Sequence, residues 1–111
     1  MMRMILMTLV LLLLSGCGES KEEQEARMQE AREIAALSQD ADQHLDGFAG
    51  AIAEISEDDD CSLEFMREYG GFMKATGENY YFLYCGEPMN KVRRWYYSPS
   101  SGKTTQFPAE L

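Results

Sequence analysis

Apolar residues recur every three or four positions through the first half of the chain, and this spacing places them on one face of an α-helix. The members of this stripe are Ile34, Leu37, Ala41, Leu45, Phe48, Ile52 and Ile55. Polar residues such as Asp40, Gln43 and Glu54 take the opposite face. The pattern predicts a long amphipathic helix whose apolar face packs against a partner.

Two glycines, Gly47 and Gly50, interrupt the stripe. Either one helix continues across them, or two helices meet at residues 46–47. We favour continuation, because the stripe keeps its phase across both glycines. The apolar face has two candidate partners, which are the sheet of the same domain and a second copy of the chain in a coiled coil.

Upstream, Ser20 and Glu23 form an S-x-x-E capping box, which is a helix start signal. The following turns are rich in Glu, Gln, Ala and Arg, and they hold few large apolar residues. This composition predicts that these turns form a solvated tether.

The second half of the chain has residue patterns that are typical of strands and turns. Residues 80–85 are aromatic or apolar on both faces, so they predict a central strand, and the helix is a natural cover for one side. Residues 92–98 and 103–107 predict further strands, and short connections make neighbours antiparallel. We expect an α+β fold in which an antiparallel meander of four to five strands follows the long helix.

Residues 62–76 are ambiguous. Gly70 and Gly71 are suited to the turn of a hairpin between two short strands. Ser62 as an N-cap, with Leu63, Met66 and Tyr69 at helical spacing, favours a short helix instead. We adopt the hairpin as the prediction.

The charge is unevenly distributed along the chain, whose net charge is −9. Residues 17–60 hold 14 acidic and three basic residues, whereas residues 61–111 hold five acidic and six basic ones. This asymmetry predicts an acidic helical tether over residues 17–60 and a separate β domain over residues 61–111. Strong acidity argues against nucleic-acid binding, which needs clustered cations.

The N-terminus begins with one basic residue, Arg3, and an apolar run over residues 4–14 that ends in Leu14-Ser15-Gly16-Cys17. At about 1.5 Å per residue this run is too short to cross a hydrocarbon core of roughly 30 Å as a helix. A signal peptide over residues 1–16 explains it better than a short membrane anchor or a core helix does. The ending resembles the lipobox of bacterial lipoprotein precursors.

This resemblance implies that the Cys17 thiol receives a diacylglyceryl group and that a signal peptidase cuts between Gly16 and Cys17. The mature chain would be held at the membrane by acyl chains in the cell envelope. In that class, Asp after the lipidated cysteine commonly retains the protein at the inner membrane. Gly18 occupies that position, so we expect the outer membrane, facing the periplasm.

Export also affects the oxidation state that we expect for the two remaining cysteines. Once Cys17 is lipidated, Cys61 and Cys85 remain as a pair in an oxidising compartment, so we expect a disulfide between them. The alternative is two buried free thiols.

Catalytic signals are weak. His44 is the only histidine, and it reads as a surface or helix-packing residue. One histidine and two paired cysteines provide neither a zinc set nor a Cys–His pair, and we expect no cofactor and no enzymatic activity. A calcium site at the acidic run of residues 57–60 is the alternative to a solvated linker there, but the run lacks the spacing of a D-x-D-x-D-G loop.

The strongest candidate for partner binding is a cationic and aromatic cluster. It comprises Arg93, Arg94, Trp95 and Tyr97, with Lys91 and Tyr96 beside them. Arg and aromatic side chains are enriched at recognition hot spots. Pairing across strands, or contact with the acidic segment of the same chain, is the alternative.

We therefore expect a lipid-anchored interaction module whose partner is an envelope protein or a cell-wall glycan. The helical stripe is a candidate surface for self-association. A second hypothesis is an inhibitor, because Tyr84-Cys85 and the Ser101-Gly102 turn resemble elements of the membrane-bound lysozyme inhibitors. A phage- or plasmid-encoded exclusion lipoprotein is a third.

Overall fold

The computed structural model describes residues 20–86 and 94–111. Within them the protein is α+β, with three α-helices and a four-stranded antiparallel sheet. The helices are α1 (Lys21–Ala35), α2 (Ala41–Ile55) and α3 (Leu63–Glu68). The strands are β1 (Met73–Lys74), β2 (Tyr81–Tyr84), β3 (Arg94–Ser98) and β4 (Lys103–Thr105), and a 3₁₀ turn follows at Pro108–Glu110.

The predicted single long helix is wrong, because the chain folds back between α1 and α2. The reversal falls at residues 36–40, where Asp40 adopts a left-handed conformation with φ 58°. Arg32, late in α1, pairs with Asp46, early in α2, at 2.8 Å. Met28 and Gln24 line a groove with Ala53 and Glu57, so the two helices run antiparallel.

The prediction that the helix continues across Gly47 and Gly50 is confirmed, since both glycines lie inside α2. The helix is irregular instead at His44, whose φ of −132° and ψ of 20° are not helical. The capping box is also confirmed, with the Glu23 amide donating to Ser20 Oγ at 3.2 Å.

The hairpin adopted for residues 62–76 is wrong in its first half. Ser62 caps helix α3 by accepting a hydrogen bond from the Phe65 amide at 3.0 Å, and Met66 is buried. Gly70 and Gly71 both have positive φ, and the Gly71 amide donates to the Met66 carbonyl, which ends the helix. Only β1 remains of the predicted strand pair.

The sheet is a meander in the order β1-β2-β3-β4, so β2 is central, as predicted. Tyr81 and Leu83 of β2 face the helices and are buried, whereas Phe82 and Tyr84 face the other side. We call these the inner and outer faces of the sheet. Cys61 and Cys85 form the predicted disulfide, which ties the segment before α3 to the end of β2.

The core lies between the helices and the inner face. Phe48 is fully buried at its centre, with ring centroids 4.9 Å from Phe72, 5.0 Å from Tyr81 and 5.8 Å from Tyr97. Ile34, Ile52 and Ile55 of the predicted stripe also pack in this core, while Leu37 is 55% exposed. The core draws on residues from both sides of the predicted boundary at residues 60–61.

Candidate functional site

The residues predicted to carry lipidation and cleavage, Cys17 and Gly16, lie outside the described residues, as does Arg93 of the cationic cluster. The other three members of that cluster, Arg94, Trp95 and Tyr97, all belong to β3. Because successive residues of a strand point to opposite sides, their placement depends on the face each one takes.

Arg94 lies on the outer face, opposite Tyr84 of β2. Its Nη2 donates to the Tyr84 hydroxyl at 2.7 Å. The guanidinium stacks 4.2 Å from the Phe82 ring centroid and 5.0 Å from that of Tyr84, which is cation–π geometry. Arg94 therefore pairs across strands with residues of β2, which is the alternative to partner binding that the sequence offered.

Trp95 and Tyr97 lie on the inner face. Tyr97 is 7% exposed and packs against Phe48 and Phe72, and burial raises its pKa. Trp95 is partly buried against the same core. The structure thus separates Arg94 from Trp95 and Tyr97 rather than joining them in one surface.

A cleft of about 630 Å³ lies elsewhere, at one end of the sheet. That size falls in the range of small-molecule sites. Its helical wall consists of Asp40, Gln43 and His44, from the α1–α2 loop and the first turn of α2. Three separate segments complete it. They are β1 with Lys74, the β1–β2 turn and β2 with Asn79 and Tyr81, and the β3–β4 turn with Pro99 and Ser100.

Asp40 and Tyr81 join the helical and sheet walls of this cleft. The Tyr81 hydroxyl donates to Asp40 Oδ2 at 2.6 Å. Burial, the hydrogen bond and the charge of the Asp40 carboxylate raise the pKa of Tyr81 to about 12. The phenol therefore stays protonated at neutral pH and holds the carboxylate in place.

His44 lies between the core and the cleft. Its ring centroid is 5.5 Å from those of both Phe48 and Tyr81, the latter in an edge-on arrangement. It is the helix-packing residue that the sequence indicated, but it also lines the cleft. Asp40, the N-cap of α2, and His44, inside α2, both have irregular backbone conformations, and both occur at this wall. Such irregularities concentrate at functional sites.

A second cavity of about 350 Å³ adjoins the first, since Gln43, His44 and Pro99 line both. Asp42, Asp46 and Tyr97 contribute to its walls. Tyr97 is thus a predicted site residue that the structure places at a cavity. We call the two cavities together the His44 groove.

The sequence prediction missed most of this groove because its walls come from four separate segments. One signal was available. In an antiparallel meander the β1–β2 and β3–β4 turns lie at the same end of the sheet, so the turns that hold Asn79 and Ser100 are neighbours.

Across residues 20–86 and 94–111, no group of three or more His, Cys, Asp and Glu side chains is placed to hold a metal ion. In the same ranges, no helix has the length and apolarity needed to cross a membrane.

Comparisons with family models, with curated proteins and with solved structures gave no match to this chain.

Proposed function

We propose that this chain is a lipid-anchored lipoprotein of the cell envelope that acts as a small interaction module. The observation that carries the proposal is the Leu14-Ser15-Gly16-Cys17 motif at the end of an eleven-residue apolar run. A diacylglyceryl group on Cys17 supplies two acyl chains, which is the number that stable membrane anchoring requires.

One further observation supports export, and two others concern how the anchor holds the chain. The Cys61–Cys85 disulfide suits an oxidising compartment. Helix α1 begins at Lys21, four positions after Cys17, so the anchor holds the domain close to the membrane. The acidic residues of the first 60 positions repel anionic headgroups, which makes the acyl chains the sole attachment.

The anchor is tested by expressing the full chain in a bacterium fed with a palmitate analogue that carries a clickable tag. We expect the mature protein to be labelled and to partition into the membrane fraction. Cys17→Ser is the matched variant, and it should lose both the label and the cleavage of the leader. An unlabelled wild-type chain that retains its leader would overturn the proposal.

The choice of membrane is tested in a Gram-negative host by density-gradient fractionation. We expect the wild-type chain to co-sediment with outer-membrane markers. Gly18→Asp places an acidic residue after Cys17, and by the resemblance to the lipoprotein class it should move the protein to the inner-membrane fraction. Inner-membrane sedimentation of the wild-type chain would contradict the expected location while leaving the anchor intact.

A further inference from the structure

The His44 groove is suited to a linear ligand. Its two cavities, of about 630 and 350 Å³, adjoin along a wall shared by Gln43, His44 and Pro99. A single small molecule would need only one of them. A chain of two or more linked units can occupy both while contacting the same wall.

The charges in the groove favour a neutral ligand. Asp40 already accepts the hydrogen bond of Tyr81 at 2.6 Å, and Asp46 is paired with Arg32 at 2.8 Å. Asp42 is an exposed carboxylate in the second cavity, and Lys74 is a cation in the first. The carboxylates repel an anionic ligand, and Lys74 repels a cationic one. Neither a positive nor a negative ligand is therefore complemented along the whole groove.

Three further polar side chains are uncharged and able to donate and accept. Gln43 and Asn79 each carry an amide with two donor hydrogens and an acceptor oxygen, and Ser100 carries a hydroxyl. The amide groups match an acetamido substituent, which has one donor and one acceptor. The carboxylate of Asp42 accepts from hydroxyls, and the pyrrolidine ring of Pro99 supplies an apolar surface for the carbon side of a sugar ring.

We propose that the His44 groove binds a linear saccharide that bears acetamido groups. The inference rests on the proposed function, because an envelope lipoprotein lies beside amino-sugar polymers of this chemistry. The groove is built before the ligand arrives, since the left-handed Asp40 and the non-helical His44 fix the helical wall through contacts with Tyr81. A preformed wall reduces the ordering cost of binding a flexible chain.

The single histidine makes the test specific. His44 is the only histidine in the sequence, so the signals of its two carbon-bound ring protons are assignable and report from inside the groove. The full chain in detergent micelles is titrated with tri-N-acetylchitotriose. We expect a saturable shift of the His44 signal, with a millimolar dissociation constant. Maltotriose, which has the hydroxyls but no acetamido groups, should bind at least tenfold more weakly.

Asn79→Ala combined with Ser100→Ala removes two exposed groove residues, and it should weaken binding about tenfold or more while the near-ultraviolet circular dichroism stays native. Gln29→Ala, an equally exposed polar residue on α1, is the matched control and should leave binding unchanged. The proposal is overturned by the absence of a saturable His44 shift, by equal binding of maltotriose, or by unchanged binding in the double variant. Saturation by trilysine but not by the saccharide would also overturn it, in favour of a cationic ligand.

This titration measures binding and not anchoring. A chain that binds the saccharide but takes up no palmitate label disproves the anchor alone. A labelled chain that shows no saccharide binding disproves the groove assignment alone.

Discussion

At the scale of single residues, the two glycines of α2 lie in opposite surroundings. A Cβ built on Gly50 meets nothing within 4 Å, and the residue is exposed. A Cβ built on Gly47 overlaps the hydroxyl of the buried Tyr97 and lies 3.2 Å from its Cζ. The helix therefore needs glycine at residue 47 to let Tyr97 pack beneath it, whereas residue 50 has no such requirement.

The two alanine variants should consequently move stability in opposite directions. Gly50→Ala removes backbone freedom from the unfolded chain and should stabilise the fold by up to ~1 kcal/mol. Gly47→Ala gains the same helix propensity but forces Tyr97 to move, and overpacking of this kind costs roughly 1–3 kcal/mol. We expect net destabilisation of about 1 kcal/mol, measured by urea unfolding.

Tyr97→Phe provides the control, because it deletes the hydroxyl that the new methyl group meets. In that background Gly47→Ala should be much less destabilising than in the wild type. Equal effects of Gly47→Ala in the two backgrounds would show that the Tyr97 hydroxyl is not the obstacle.

Tyr81 predicts a specific alkaline behaviour. Its pKa is raised to about 12 in the folded protein, whereas an unfolded tyrosine ionises near 10. The folded state therefore keeps a proton that the unfolded state releases, and stability falls as pH rises from about 10 to about 12. Below pH 10 this contribution is fully present.

Tyr81→Phe should flatten the loss of stability in that pH window, although it also removes the hydrogen bond to Asp40 and lowers stability near neutrality by about 1 kcal/mol. Ultraviolet absorbance titration of folded protein checks the assignment directly. Compared with the wild-type protein, the variant should lack the phenolate absorbance that appears near pH 12. A missing transition near pH 10 would contradict it.

At the scale of elements, the α1–α2 loop protects the edge of the sheet. The Gln39 amide donates to the Phe72 carbonyl at 2.9 Å, the Phe72 amide donates to Ser38 Oγ at 2.8 Å, and the Lys74 amide donates to Gln39 Oε1 at 3.0 Å. The edge groups of β1 are thus paired by a loop instead of a fifth strand. Covering an edge in this way limits strand addition by other chains.

Ser38 should be the most sensitive residue of this loop. Ser38→Ala leaves the buried Phe72 amide without its acceptor, and we expect a loss of about 1–3 kcal/mol in the free energy of unfolding. Gln39→Ala removes one exposed hydrogen bond, so it is the matched comparison and should cost less. Guanidinium unfolding of both variants measures the difference. Equal costs would mean that burial of the Ser38–Phe72 bond contributes little.

The same loop explains why the helical prediction failed. Ile34 and Leu37 keep the spacing of the stripe up to Ala41, but Leu37 is 55% exposed and Asp40 is left-handed. The apolar spacing continues through the reversal of the chain, because the loop at residues 36–40 happens to leave Ala41 four positions after Leu37. Ser38 and Asp40 are poor helix interior residues that favour turns, and this was the available signal.

The segment around Gly70 and Gly71 shows a different limit. Two adjacent residues with positive φ are what a tight hairpin turn requires, and they also end a helix. Their φ values of 82° and 74° therefore fit either prediction. The local signal that separates them is the Ser62 N-cap, which accepts the Phe65 amide in the structure, and the burial of Met66 agrees with the helix.

At the scale of the whole molecule, the strands and the disulfide were predictable because alternation and cysteine pairing are strong local signals. Residues 80–85 alternate between the two faces as expected, and β2 is central. The groove was not predictable, because Asp40 and Tyr81 are 41 positions apart and meet only when the helical hairpin packs on the sheet. The site therefore depends on the global fold rather than on one motif.

The disulfide connects these two parts of the molecule, and its removal should be the largest single perturbation. Cys61 follows the acidic turn after α2, and Cys85 directly follows β2. The two cysteines are 24 positions apart in sequence, and their Cα atoms are 4.7 Å apart. Closing a loop of this size restricts the unfolded chain by about 3 kcal/mol in the chain-entropy estimate. Cys61→Ser combined with Cys85→Ser should lower the free energy of urea unfolding by about that amount.

Wild-type protein treated with a reductant controls for the substitutions themselves, because it keeps both sulfur atoms in place. Reduced wild-type protein and the double serine variant should show the same loss. The oxidised wild-type protein should show no thiol at Cys61 or Cys85 when it is unfolded and alkylated without reductant. Since the bond joins the helical half to β2 close to the core residue Leu83, its loss should also speed amide exchange in β2, and unchanged exchange there would mean that the hydrophobic core alone holds the two halves together.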